Sequence, residues 1–339
     1  MTRQSKLKHK ITALVVSCVM VACLMMIGEF LCRAFTRVNF LDNTAEMFSP
    51  NRFGKSYGNT PNFSGVSFGQ EFTTDANGFR YDAGAGVELA GDSAVLLIGD
   101  SVGFGPAVED SKTIAGRLRA RMNTPVHNAS VIGYDTFDHK NAASAIVRND
   151  RGIRTVAVIF CLNDVNDASA QQIRNQVGSM SQPQSTASLA RTINDYLRSR
   201  SKLFVWLKTL LLDSQVTTFR FDLTFYQKGE ENVRAALNPL SELKKELDAL
   251  GVVLKVFVMP YEAQLRASAT DADLEPQRLV MKALAAEGIE SYDLMPKFKA
   301  SENTNLLFLY GDPMHLSEEG HAVAAKAVCE RLPGCDPSK

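Results

Sequence analysis

In "LLIGDSVGFG" (96–105) an apolar run ends at Gly99, and Asp100 and Ser101 follow at once, with Gly103 beyond. Glycines on both sides let the chain turn sharply and keep a serine hydroxyl accessible. A serine becomes a nucleophile only with a base, an orienter for that base and donors for the developing oxyanion. The chain has five histidines. His9 precedes an apolar N-terminal segment, and His127 and His139 fall within expected secondary structure. His315 stands apart, in "YGDPMHLSEEGH" (310–321), three residues after Asp312 with Pro313 stiffening the turn. At that spacing the Asp312 carboxylate can reach Nδ1–H of His315 and leave Nε2 free to face Ser101. Ser317 is placed to cap the helix that follows, and Glu318 and Glu319 occupy its first turn.

Donors for an oxyanion come from two further strand ends. Asn163 and Asp164 in "CLNDVND" (161–167) follow a long apolar run, and Gly133 in "NASVIGYDT" (128–136) ends another. The Asn163 amide and the backbone N–H groups of Gly133 and Ser101 are the candidate oxyanion donors. Asp100, Tyr134, Asp164, Tyr261 and Trp206 are candidate substrate-binding residues, the first four because they lie at or beside the same strand ends. Each such residue is also an ordinary turn former. Their joint placement on loops at one sheet edge is what an active site needs.

The elements that must hold these groups can be read from alternating patterns. Short apolar runs at 93–99, 126–133, 155–162, 252–260 and 289–295 alternate with helical patterns at 113–123, 138–150, 230–250, 274–287 and 317–332. Strand and helix alternating at this spacing predict an α/β domain, a three-layer αβα sandwich around a five-stranded, mainly parallel sheet. Ligands of such sheets bind beyond the carboxyl ends of the strands, where Ser101, Gly133 and Asn163 all fall.

Ahead of that domain, Arg3, Lys6, Lys8 and Lys10 precede "ITALVVSCVMVACLMMIGEFLC" (11–32), which is long enough to span a bilayer. The basic flank places the N-terminus inside and the rest outside, so residues 1–35 are expected to be a cytoplasmic tail and retained transmembrane anchor. A cleaved signal would want a shorter apolar run and a small-x-small site, which the residues after Gly28 do not provide. Lipid attachment at Cys18 or Cys23 is less suited to apolar sequence continuing past both. Residues 36–92, rich in Asn, Gly, Phe and Ser, read as a stalk and extended β-rich segment, with a hairpin signal at Asn77-Gly78. Residues 93–339 are expected to form the domain that holds the candidate site, interrupted by an insertion at about 166–230. Within it, 201–212 carries an apolar helical face that includes Trp206, suited to packing on the core, to a lid or to a membrane surface. Cys329 and Cys335 either close a disulfide or stay free.

The 37 basic and 37 acidic residues balance, so the single-sign field of a nucleic-acid binder is missing. "GDSVG" also satisfies the nucleophile elbow of the α/β-hydrolases, but there several strands precede the serine strand and acid and base sit on separate loops.

The four blocks resemble, in order, those of the SGNH (GDSL-like) hydrolases over residues 93–335: "GDS" with Ser101, the glycine block with Gly133, "LND" with Asn163, and "DPMH" with Asp312 and His315. Two positions depart from that pattern, since Cys161 stands where the third block usually has glycine and Gly103 where Thr or Ser is common. The resemblance implies a Ser101–His315–Asp312 acyl-enzyme and no metal or organic cofactor. With the anchor and "ANGFRYD" (76–82), the layout is similar to membrane-anchored bacterial SGNH proteins of extracellular polysaccharides, in the inner membrane with the catalytic domain facing the periplasm or exterior. Partners implied are an acylated carbohydrate or polysaccharide, the membrane, and other membrane acylation or polysaccharide-assembly proteins. The expected function is removal or transfer of an acyl group, acetyl foremost. A lipid esterase and a non-catalytic polysaccharide-assembly subunit are the alternatives.

Overall fold

In the computed structural model, which describes residues 3–81, 93–165 and 189–338, each of the five apolar runs is a parallel strand. β6 (Ala94–Gly99), β7 (Val126–Asn128), β8 (Ile153–Phe160), β9 (Val253–Val258) and β10 (Glu290–Asp293) lie in the order β10-β9-β8-β6-β7. Neighbours within this set are all parallel. β6 is buried along its whole length and β8 everywhere except Arg154. Continuous apolar strands of this kind need cover on both faces.

Two groups of helices supply that cover. Thr136–Asn149, Glu230–Asp248 and Glu275–Ala286 pack against one another, and Ile114–Arg121 and Met295–Lys299 pack on Glu318–Cys329. The domain is therefore the expected layered α/β sandwich. Chain order runs outward from β6 to β7, then returns to β8 on the other side. The switch point of the sheet lies between β6 and β8, where crevices open in such folds.

The sheet has eight strands rather than five. Three short strands from the N-terminal segment, β3 (Ser64–Ser67), β4 (Gln70–Thr74) and β5 (Arg80–Tyr81), extend it antiparallel, with Arg80 of β5 paired to Asn128 of β7. A separate hairpin, β1 (Phe48–Phe53) with β2 (Ser56–Asn59), precedes them. The reading of 36–92 as a stalk is corrected to this extent: the described residues 64–81 are part of the central sheet. Open hydrogen-bonding groups along β7 need a partner, and β5 provides it. The turn at Asn77-Gly78 joins β4 to β5 as expected, with Asp75 Oδ1 accepting from the N–H groups of Asn77 and Phe79.

Of the insertion, 166–188 lies outside the described residues. The rest is helical, Leu189–Arg198, Lys202–Leu211 and Ser214–Tyr226. At the chain's start Arg3–Phe35 is one helix, and its part His9–Phe35 is long and apolar enough to cross a membrane. Cys329 and Cys335 form a disulfide that ties the last helix to the following turn.

Candidate active site

Ser101 follows β6 after one intervening residue and opens the one-turn helix Ser101–Phe104. Asp100 caps that turn, its Oδ1 accepting from the Val102 N–H at 2.8 Å. A Cβ on Gly103 would stand 2.5 Å from Ser130 Oγ, so only glycine lets the turn sit this close to the end of β7. Phe104 packs in a small cluster with Met47 and Phe72 of the N-terminal segment. The extension of the sheet thus braces the serine turn.

Arg80 fixes the loop beyond that turn. Its buried guanidinium donates to the carbonyls of Phe104 (2.7 Å), Gly105 (2.5 Å) and Val108, and lies 3.9 Å from Asp110 Oδ1. Burial lowers its pKa to about 10, against the opposing pull of Asp110, which leaves it charged at neutral pH.

The base and its orienter share the turn between Leu309 and Leu316, closed by the Leu309 N–H on the His315 carbonyl. Asp312 Oδ1 accepts from the N–H groups of Met314 (3.0 Å) and His315 (2.8 Å), which aims Oδ2 at His315 Nδ1, 2.7 Å away. On the far side of the ring, Nε2 stands 2.8 Å from Ser101 Oγ. An Nδ1–H donor to Asp312 leaves Nε2 as the acceptor of the serine proton. Burial opposes charging of His315, but the Asp312 charge and hydrogen bond, with Asp100 adding, outweigh it and raise its pKa above the ordinary imidazole value. Burial likewise opposes ionisation of Asp312, and His315 and the two N–H donors overcome that and hold it below the usual carboxylate range. Ser317 caps the next helix through the Gly320 N–H, as its position implies.

Asn163 lies in the single turn Leu162–Val165 after β8, half-buried, with Nδ2 3.4 Å from Asp100 Oδ2. Beneath it the Tyr226 hydroxyl donates to the Leu162 carbonyl at 2.6 Å. Gly133 has a φ of 80°, in the left-handed region that favours glycine. Cys161, where related sequences have glycine, is fully buried with its sulfur 3.9 Å from that of Met314, so the substitution packs the third block against the fourth.

Four candidate substrate residues face inward instead. Asp100 is wholly buried, and burial lifts its pKa. Asp164 is spent on the Cys161 N–H and His139 Nε2, both at 3.0 Å. Burial, with Asp100 adding, pushes Asp164 well above the carboxylate range, while burial lowers His139. The Tyr134 hydroxyl donates to the Tyr57 carbonyl, and the Tyr261 hydroxyl to Asp222 Oδ2 at 2.8 Å. Following a strand end does not fix which way a side chain points, and these four serve as internal braces. Trp206 is half-buried on the helix Lys202–Leu211. Among the described residues no group of three or more His, Cys, Asp or Glu is arranged to hold a metal ion.

Two residues with no assigned role in the sequence pattern belong to the site. Arg80, within the "NGFR" stretch, is one. The other is Phe68, whose ring lies edge-on to His315 at 5.2 Å between centroids. It sits at the tip of the β3–β4 hairpin with φ 50°, next to Gly69 at 79°. Positive φ in a bulky residue is unusual, and "SFGQ" carries only the glycine as a signal of it.

Residues 219–337 match the family model described as the SGNH hydrolase-like domain of the acetyltransferase AlgX. Over that span the chain is similar to the SGNH hydrolases. The matched span holds Asp312 and His315; Ser101, Gly133 and Asn163 precede it. Among solved structures, a G-D-S-L family lipolytic protein from Desulfitobacterium hafniense DCB-2 is similar at 12% identity and a TM-score of 0.43, over 70% of this chain and 99% of that one. One from Veillonella parvula DSM 2008 has 11% identity and a TM-score of 0.42, over 71% and 100%. The acetylxylan esterase Axe2 from Geobacillus stearothermophilus, as a catalytic mutant, has 13% identity and a TM-score of 0.41, over 73% and 97%. No curated protein sequence matches the chain. An SGNH domain with this family match has an acyl esterase or acetyltransferase fold.

Proposed function

We propose that this protein is a membrane-anchored serine enzyme, working outside the cytoplasmic membrane, that removes an acyl group from a polysaccharide or transfers one to it. The observation that carries the reading is the unbroken relay from Asp312 Oδ2 through His315 to Ser101 Oγ, at 2.7 and 2.8 Å. Ser101 Oγ attacks the ester carbonyl carbon while its proton passes to His315 Nε2. The backbone N–H groups of Ser101 and Gly133 and the Asn163 amide take up the oxyanion. Collapse breaks the ester C–O bond, and the leaving alkoxide recovers the proton from His315. Water or a sugar hydroxyl, giving its proton to His315 Nε2, then attacks the acyl-enzyme carbonyl; the acyl C–Oγ bond breaks and Ser101 Oγ takes the proton back from His315. The match to an acetyltransferase domain favours acetyl as the group.

The test uses the full chain in detergent with an aryl acetate and a serine-directed fluorophosphonate. Expected results are stoichiometric labelling and acetate release, both abolished by Ser101→Ala. Absence of labelling in the unaltered chain, or equal labelling of the variant, overturns the enzymatic reading in favour of a non-catalytic subunit. Counting acetyl released to water against acetyl transferred to an acceptor oligosaccharide then separates hydrolase from transferase.

A further inference from the structure

The anchor helix carries one acid inside its apolar stretch, and that acid is fully engaged. Glu29 accepts from Ser201 Oγ (2.8 Å), the Leu203 N–H (3.0 Å) and the Lys202 N–H (3.1 Å), and pairs with Arg33 Nε (2.6 Å). Arg33 in turn donates to the Arg200 carbonyl at 2.9 Å. The first N–H groups of a helix have no partner within it; in Lys202–Leu211 Ser201 Oγ accepts from the third, and a carboxylate from another helix satisfies the first two. Leu203 lies on Gly28, where a Cβ would come within 3.0 Å of its Cδ2. Anchor and insertion are thus joined by polar and apolar contact together.

The height of that joint follows from the sequence. Ile11–Gly28 is 18 residues without a charge, about 27 Å of helix, close to the ~30 Å of a hydrocarbon core. Glu29 therefore falls at the outer boundary, and the helix it caps starts there. That helix turns Val205 inward but leaves Leu207 44%, Leu210 59% and Leu211 81% exposed, with Leu212 after it at 56%. Four exposed leucines in six residues are costly against water. Arg33, Arg200 and Lys202 at its start supply cations at the level of the headgroups. At its other end the segment touches the catalytic turn: Ser214 Oγ donates to the Gly311 carbonyl (2.9 Å) and Gln215 Nε2 to that of Asp312 (3.0 Å).

We propose that the helix Lys202–Leu211, continued by Leu212, seats its leucine face in the outer leaflet of the membrane that the chain's own anchor spans, locked there by Glu29. The catalytic site is then carried at a fixed height over the membrane surface, where its substrate must arrive, rather than on a swinging tether. The inference rests on the retained anchor proposed above.

Trp206 is the only tryptophan in the chain and lies on this helix, which makes it a built-in depth probe. The full chain is reconstituted into vesicles of phosphatidylcholine and phosphatidylglycerol, with acyl chains brominated either near the headgroup or near the bilayer centre. Shallow bromines are expected to quench Trp206 at least twofold, and deep bromines less. The variant Leu207→Ser/Leu210→Ser/Leu211→Ser, and separately Glu29→Ala, should lose most of that quenching while still floating with the vesicles. Unquenched Trp206 in chains that co-float at full mass overturns the docking and leaves the anchor standing. Chains that fail to co-float, or that have lost the N-terminal helix by mass, overturn both.

Discussion

Replacing Asp312 by Asn tests the catalytic reading most sharply, because it removes one charge and leaves the shape nearly unchanged. The carboxylate and the imidazolium formed during attack are in contact at 2.7 Å, which puts their charge centres about 4 Å apart. At an effective dielectric of about 20 their attraction is about 4 kcal/mol, a factor of about 10³ in rate. The introduced amide can also donate to Nδ1 and hold the ring in the wrong tautomer, which adds to the loss. The assay is kcat/KM for an aryl acetate from pH 5 to 9. In the unaltered protein His315 must be neutral to accept the serine proton, so activity rises with pH as His315 loses its proton. Because its pKa is raised, the midpoint lies above the ordinary imidazole value. With Asp312→Asn the charge that raises it is gone, so the midpoint moves down while the plateau falls about 10³-fold. A plateau loss under tenfold with an unmoved midpoint would refute the relay.

Asn163→Ala should lower kcat about 10²–10³-fold, the usual cost of one oxyanion donor, with a much smaller change in KM; a change confined to KM would make Asn163 a binding residue instead. Arg80→Met strands three buried carbonyls, while Asp110 keeps Arg119 at 2.5 Å. Leaving buried acceptors unsatisfied costs about 1–3 kcal/mol each, so the loss is on the order of 10 °C in Tm at ~2–4 °C per kcal/mol. Calorimetry that finds no change would show that Arg80 does not hold the loop.

The positions of Ser101, Gly133 and Asn163 were legible because each follows an apolar run that becomes a buried parallel strand, and parallel strands bring their carboxyl ends to one edge. Asp312 and His315 were legible as a pair because a turn of three residues needs no long-range information. What the pattern did not reveal are features that depend on pairing across the fold. β3, β4 and β5 are two to five residues long, too short for alternation to show, and only the unpaired edge of β7 explains where they go. Phe68 reaches His315 through a backbone angle that no residue type announces. For Asp164, Tyr134 and Tyr261 strand-end position was visible, but side-chain direction is set by partners, His139, Tyr57 and Asp222, that the pattern does not show. The disulfide, left open by spacing alone, forms where the last helix ends.

The pairing of β5 with β7 also governs how this protein can be cut. A soluble fragment starting at residue 93 would lose the three antiparallel strands and expose β7 as a bare edge beside the apolar β6. Such an edge is a template for a second copy, and aggregation is its ordinary fate. It would also strip Phe68 from His315 and Arg80 from the serine loop, so any material that stayed in solution would carry an unsupported active site. A fragment that keeps residues 36–81 retains a closed edge, but leaves the N-terminus of Lys202–Leu211 without Glu29 and its leucines in water. Expression of the domain without its anchor therefore calls for replacing Leu207, Leu210 and Leu211 by polar residues and giving the first two N–H groups of that helix, which the Ser201 cap does not reach, a new acceptor.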